Sequence, residues 1–202
     1  MDREPDGGIL TQLLVAARDG DPVALGAFAR ATYRDIWRFC AALADEPGRA
    51  DDLTNDVFVR VLRALPHFRG ESTARTWLFS IARRTVADAI REGRRRRRLN
   101  ERISRQPPEG PASEAGGLVE LVHLLGGLDH DRRAAFVLTQ IVGLSYAEAA
   151  EVCACAVGTI RSRVARARSQ LLQDLRPVID DDRGDGDVHV GPSPNIGNGP
   201  GS

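Results

Sequence analysis

This chain of 202 residues contains no lysine; all 28 of its basic residues are arginine, balanced by 28 acids. High-GC coding explains such usage without a functional cause, so the absence alone excludes little. Aromatic residues make up only 5% of the chain, which argues for helices over a strand-rich fold. Three cysteines, Cys40, Cys153 and Cys155, are too few for a disulfide framework. A zinc site needs about four ligands, and no His or Cys near the Cys153/Cys155 pair completes one. That pair reads as small apolar packing, with a redox role as the alternative. No apolar run approaches the ~18 residues that cross a bilayer. Residues 1–8 are acidic and glycine-containing and lack the pattern of a signal peptide, so the expected location is the cytoplasm.

The charges that are present are unevenly spread. Residues 8–98 hold 17 arginines against 11 acids, and residues 157–170 hold four arginines and no acid. Residues 177–202 hold one arginine and five acids. Two basic regions and an acidic tail therefore lie behind a net charge of zero.

Punctuation by proline and glycine divides the chain into helices. Ile9 to Asp19 reads as a short helix closed by Gly20. Asp21 followed by Pro22 is a helix start, acceptor first and proline at the first helical position; that helix runs to about Ala44 and carries Leu25, Phe28, Ile36, Phe39 and Leu43. From about Ala50 to Leu65, Leu53, Val57, Val61 and Leu65 form one stripe, and Pro66 stops the helix. Ser72 is placed to cap the next one, which carries Trp77, Leu78, Ile81, Ala82, Val86 and Ile90 and ends in the run Arg94 to Arg98. Residues 99–117, with three prolines and three glycines, read as a flexible linker. Helical patterning resumes from Leu118 to Leu175, and residues 177–202 have the composition of a disordered acidic tail. The expected fold class is all-α: two small helical domains, 9–98 and 118–176, joined by the linker.

The second domain carries the most informative stretch, Gly143 to Leu171, GLSYAEAAEVCACAVGTIRSRVARARSQL. It reads as two helices joined by a short turn. In the second, Ile160, Val164, Ala167 and Leu171 form the apolar stripe, leaving Thr159, Ser162, Arg163, Arg166 and Gln170 for the opposite face. A helix-turn-helix lays its second helix in the DNA major groove with N-terminal residues on base edges. Arg163 and Arg166 are placed for base readout, where arginine commonly pairs with guanine; Arg161 and Arg168 flank them toward phosphates. Gly158 lets the backbone come close to DNA.

Two further motifs are less specific. In Ala50-Asp-Asp-Leu-Thr-Asn-Asp-Val-Phe-Val-Arg, Asp52, Asp56, Val59 and Arg63 share the face behind the core stripe, which is either a solvated face or a partner site. Asp51, Asp52 and Asp56 have no accompanying His, Lys or glycine-rich loop. An enzyme acting on nucleic acid therefore finds no support, and neither a cofactor nor a small-molecule substrate is expected. In FRGESTARTWLFSIAR, residues 68–83, aromatics and arginines suit single-stranded nucleic acid, which binds by stacking and charge; from these residues alone, Trp77 and Phe79 read first as core. The run Arg94–Arg98 is either a solvated helix end or a track for the DNA backbone.

Taken in order, ADDLTNDVFVRVLRAL, FRGESTARTWLFSIAR and GLSYAEAAEV followed by VGTIRSRVARAR, the chain resembles an extracytoplasmic-function sigma factor of bacterial RNA polymerase over roughly residues 9–175. The resemblance implies that the Asp51–Leu65 helix docks on core RNA polymerase through Asp52, Asp56 and Arg60. It implies that the Phe68–Thr73 loop and the following helix capture and melt the −10 element, with Arg69, Ser72, Trp77, Arg84, Asp88 and Arg91 at the DNA. The −35 element falls to Thr159, Arg161, Ser162, Arg163 and Arg166, and an inhibitory anti-sigma partner is implied as well. Two positions depart from the family pattern. Arg84 stands where members often carry Asn, and Ala154 replaces the usual turn glycine, for which a right-handed turn is expected. A free-standing DNA-binding regulator is the alternative, but it leaves the first two motifs without a purpose.

Overall fold

The computed structural model describes residues 6–44, 48–100, 122 and 124–181. Among these residues there is no strand. Helix α1 (Asp6–Arg18) ends at Gly20, whose φ of 102° reverses the chain. Helix α2 (Pro22–Leu43) starts where the local signals put it: the Asp21 carboxylate accepts from the Val23 and Ala24 amides at 2.8 and 3.1 Å. Helix α3 (Ala50–Ala64) runs into a single 3₁₀ turn, Leu65–His67, containing Pro66.

Helix α4 (Ala74–Asn100) is capped one residue later than the sequence suggests. The Thr73 hydroxyl, not that of Ser72, accepts from the Thr76 amide at 3.1 Å. Ser72 belongs to the bend before the helix. Its side-chain chemistry matches that of Thr73, so only the backbone path decides between them.

In the second unit, after helical residues 124–126, α5 (His130–Phe136) is capped by Asp129, which accepts from the Arg132 amide at 3.0 Å. It widens into a π turn at Val137–Ile141 and closes on Gly143 at φ 81°, with the Leu144 amide donating to Leu138 O. Helix α6 (Tyr146–Cys153) carries a complete capping box: Ser145 Oγ accepts from the Glu148 amide, and the Glu148 carboxylate accepts from the Ser145 amide. Helix α7 (Val157–Asp181) follows.

The turn between α6 and α7 corrects the expectation of a right-handed conformation. Ala154 is left-handed, at φ 50° and ψ 49°. The Cys155 amide donates to Ala150 O and the Ala154 amide to Glu151 O, the paired bonds of a Schellman closure. These two bonds, and the burial of Val152, Cys153 and Ile160 on either side, hold a side-chain-bearing residue in a region that costs it about 1–2 kcal/mol. Helix α7 also continues through Pro177 to Asp181, into the stretch expected as tail; proline removes one helical hydrogen bond but keeps a helical φ. The linker expected at 99–117 and the tail beyond 181 lie outside the described residues, apart from the end of α4.

The expected stripes are buried. Phe28, Ile36, Phe39 and Leu43 of α2, Leu53, Val57 and Val61 of α3, and Leu78, Ala82 and Val86 of α4 form the first core. Phe39 and Phe79 meet edge to face at 5.4 Å. Ile160, Val164, Ala167 and Leu171 of α7 pack with Leu138 and Ala149 in the second. The two cores are continuous, because α4 packs along α6. Polar contacts cross the same boundary. Arg75 Nη2 donates to Val142 O at 2.5 Å and pairs with Asp35 at 3.1 Å. The buried Arg133 donates from Nε to Ala42 O at 2.5 Å, which places a cation at the C-terminal end of α2, where the helix dipole favours it.

Candidate nucleic-acid interface

Helix α7 presents a basic outer face. Its stripe residues are buried, while Arg161, Ser162, Ala165, Arg166 and Ser169 are exposed. Ser162 Oγ donates to Thr159 O at 2.9 Å, and Thr159 is half-buried. No acid lies on the helix before Asp174, so nothing on this face opposes a phosphate. Its first residue, Val157, is also exposed, leaving the N-terminal turn open to an anion.

Arg163 does not share that outward face. It sits at the margin of the buried stripe, ion-paired to Asp131 Oδ2 of α5 and 3.8 Å from Cys155 Sγ. Arg83 of α4 approaches the other oxygen of the same carboxylate at 3.6 Å. One aspartate therefore lies between an arginine of each unit. Cys153 lies in this neighbourhood, its thiol pushed up to about 11 by burial. Arg168 Nη2 donates to Gln140 at 2.5 Å, so of the four arginines on α7's first half, Arg161 and Arg166 stand outward with no partner among the described residues.

In the first unit, the residues after Phe68 form a projecting loop. Phe68 is buried and its ring lies 5.1 Å from that of the half-buried Trp77, so the aromatic pair is the loop's footing. Above it Arg69 and Glu71 are more than three-quarters exposed and loosely paired at 3.8 Å. Gly70 takes φ 73° at the tip. Ser72 is half-buried. On α4, Arg84 and Arg91 are exposed, and Asp88 receives Arg60 at 2.6 Å and Arg91 at 2.5 Å. The Arg60 hydrogen bond, reinforced by Arg91, holds the Asp88 carboxyl below the usual aspartate range.

That contact joins two residues which the sequence assigned to different surfaces. Arg60 of α3 was placed with the polymerase-facing carboxylates, and Asp88 with the −10 residues; they are ion-paired to each other. Asp52 and Asp56 remain exposed on α3. Beside them Val59, placed on this face by its spacing, is 44% exposed, and Leu62, which the sequence reading missed, is 51% exposed. Tyr33 stacks on Phe58 at 5.9 Å. Leu62 follows Val59 by one helical turn, so the signal was present once α3's stripe was assigned.

Comparison with known proteins decides between a promoter-specificity subunit and a free-standing regulator. Residues 28–96 match the Sigma-70 region 2 family and residues 118–171 the Sigma-70 region 4 family. The ECF RNA polymerase sigma factor SigC of Mycobacterium tuberculosis is 48% identical over 175 residues, 85% of this chain and 94% of that protein. The chain belongs to the extracytoplasmic-function sigma factors. Its fold agrees with solved structures. The sigma factor RpoE in complex with the anti-sigma factor NepR from Bartonella quintana superposes with a TM-score of 0.66 at 27% identity, covering 75% of this chain and 96% of that one. CnrH in complex with the cytosolic domain of CnrY superposes at 0.65 and 28% identity, covering 86% and 99%. In this sigma factor the two matched regions fall on the two helical units, with α7 in the second.

Proposed function

We propose that this sigma factor binds core RNA polymerase through the α3 face around Asp52 and Asp56, with Arg60 at its margin, and directs it to promoters by reading two elements. The loop 68–73, Trp77 and α4 with Arg84, Asp88 and Arg91 take the −10 strand as it melts. Helix α7 takes the −35 duplex through Thr159, Arg161, Ser162 and Arg166, with Arg163 joining once released from Asp131. The observation that carries this reading is the exposed, acid-free face of α7 on a chain whose other unit carries a projecting loop on an aromatic footing. A single chain with both surfaces is suited to a promoter's two elements. It acts as a specificity subunit and not as an enzyme.

The compact packing of the two units is the resting arrangement in this reading, and they part when the factor seats on polymerase. An anti-sigma partner of the kind bound to the solved RpoE relative holds the resting form. No helix of the described residues is long and apolar enough to cross a membrane, and the site of action is the cytoplasm, with membrane tethering left to such a partner.

The test is transcription from a genomic promoter library by sigma-free core polymerase with and without the protein. Discrete new start sites sharing −35 and −10 sequences support the reading. Sequence-specific duplex binding by the protein alone, with neither transcripts nor polymerase binding, overturns it in favour of a free-standing regulator.

A further inference from the structure

Helix α1 lies outside the region 2 match, which begins at residue 28, yet it touches the projecting loop at both ends. Arg18 Nη1 donates to Phe68 O at 3.1 Å, where the loop leaves the 3₁₀ turn. Thr11 Oγ1 accepts from the Ala74 amide at 3.1 Å, where the loop enters α4. Thr11 and Arg18 are seven residues apart, two turns along one face of a helix, and so about 10 Å apart along its axis. Leu14, between them on that face, is fully buried. Helix α1 therefore acts as a fixed ruler between the loop's two ends, while Arg69 and Glu71 at the tip are more than three-quarters exposed.

Both contacts are built to hold. The Ala74 amide belongs to a fully buried residue at the first turn of α4, where a helix leaves its amides unpaired; Thr11 supplies an acceptor from elsewhere in the chain. Arg18 is steadied by Asp19, which accepts from its Nε at 2.8 Å and so fixes the plane of the guanidinium whose Nη1 reaches Phe68. Asp19 itself sits at the end of α1, its amide donating to Val15 O.

We propose that Thr11 and Arg18 are positioning residues for −10 recognition: they hold the mouth of the loop at the span that admits one unstacked DNA base. This rests on the loop being the −10 reader. A base pulled from the stack is discriminated by a pocket only when the pocket's edges are already in place, and a loop anchored at one end would accept a wrong base nearly as well as the right one.

The experiment uses the full chain with core polymerase on a promoter whose −10 bases are varied singly, reading the ratio of initiation on the cognate to each altered element. Thr11→Val and Arg18→Gln are each expected to lower that ratio about fivefold, the equivalent of one hydrogen bond, with discrimination at the −35 element unchanged. Thr11→Ser, which keeps the acceptor, is expected to restore the ratio. Arg18→Gln removes a contact made by a side chain 31% exposed, so it remains informative even if Thr11→Val fails to fold. A uniform fall in initiation with the −10 ratio intact means that α1 serves stability only, and overturns the proposal. Arg69→Ala and Ser72→Ala separate the two levels. If they alter the −10 ratio while the α1 variants do not, only the positioning role fails; if they leave it unchanged, the loop is not the reader and both readings fall.

Discussion

Asp131 of α5 takes Arg163 of α7 on one carboxylate oxygen and faces Arg83 of α4 with the other. A carboxylate in that position occupies Arg163 much as a DNA phosphate would. Asp131→Asn is expected to release Arg163, raise affinity for −35 duplex several-fold at low salt, and steepen the salt dependence by about one phosphate contact. Fluorescence anisotropy across a salt series measures both, and an unchanged slope would show that Arg163 never reaches the backbone.

Arg166 and Asp56 should fail in different ways. Arg166→Ala is expected to cost about 1–3 kcal/mol at one base position of the −35 element and to relax specificity there. Asp56→Ala is expected to weaken polymerase binding on every promoter alike. Initiation on a set of singly substituted promoters, alongside direct polymerase binding, separates them; a promoter-dependent effect of Asp56→Ala would remove it from the polymerase face.

Ala154 pays for its left-handed backbone in conformational strain, and Ala154→Gly is expected to raise stability by about 1 kcal/mol. Urea melts of the two proteins give the difference. Equal or lower stability of the glycine variant would mean that the added freedom of its unfolded chain cancels the relief.

Cysteine reactivity should divide by burial. Cys40 and Cys153 are buried, their thiols pushed up to about 12 and about 11, whereas Cys155 is half-exposed. At neutral pH a thiol reagent is expected to label Cys155 first, and the other two only as the chain unfolds. Rapid labelling of Cys153 in the native protein would contradict its place in the core.

Asp88 gives a pH signature of known sign. Its carboxyl is held below the ordinary aspartate value of about 4 by Arg60 first and Arg91 second. The stabilisation is therefore complete above that value and is lost as pH falls below it. Asp88→Asn is expected to cost less than ~1 kcal/mol at pH 7, since the pair is 42% exposed, and the difference from the unsubstituted protein should shrink toward pH 3. A gap that widens on acidification would reverse the assignment.

The helices were legible because their signals are local. Asp21 with Pro22 and Ser145 with Glu148 lie within one turn of the ends they fix, and the stripes of α3 and α7 follow from spacing alone. What escaped the sequence was set from far along the chain. Arg163 reads as a base-reading residue until Asp131, 32 residues earlier, is seen to hold it. Arg60 and Asp88 are 28 residues apart and meet because α3 and α4 pack side by side. Ala154 was misread because turn type follows residue type only when packing does not overrule it. Thr11 and Arg18 carried no signal at all, since their partners are backbone atoms, which every residue has.

The hydrogen bond from Arg133 to Ala42 O has a consequence for motion as well as packing. The last carbonyls of α2 have no acceptor role inside their own helix, and the second unit supplies the donor. In the proposed opening, that end of α2 passes from an arginine to water and is expected to fray more readily. Departure of one unit would then be felt as softening in the other, and amide hydrogen exchange at the end of α2 would serve as a built-in gauge of that opening.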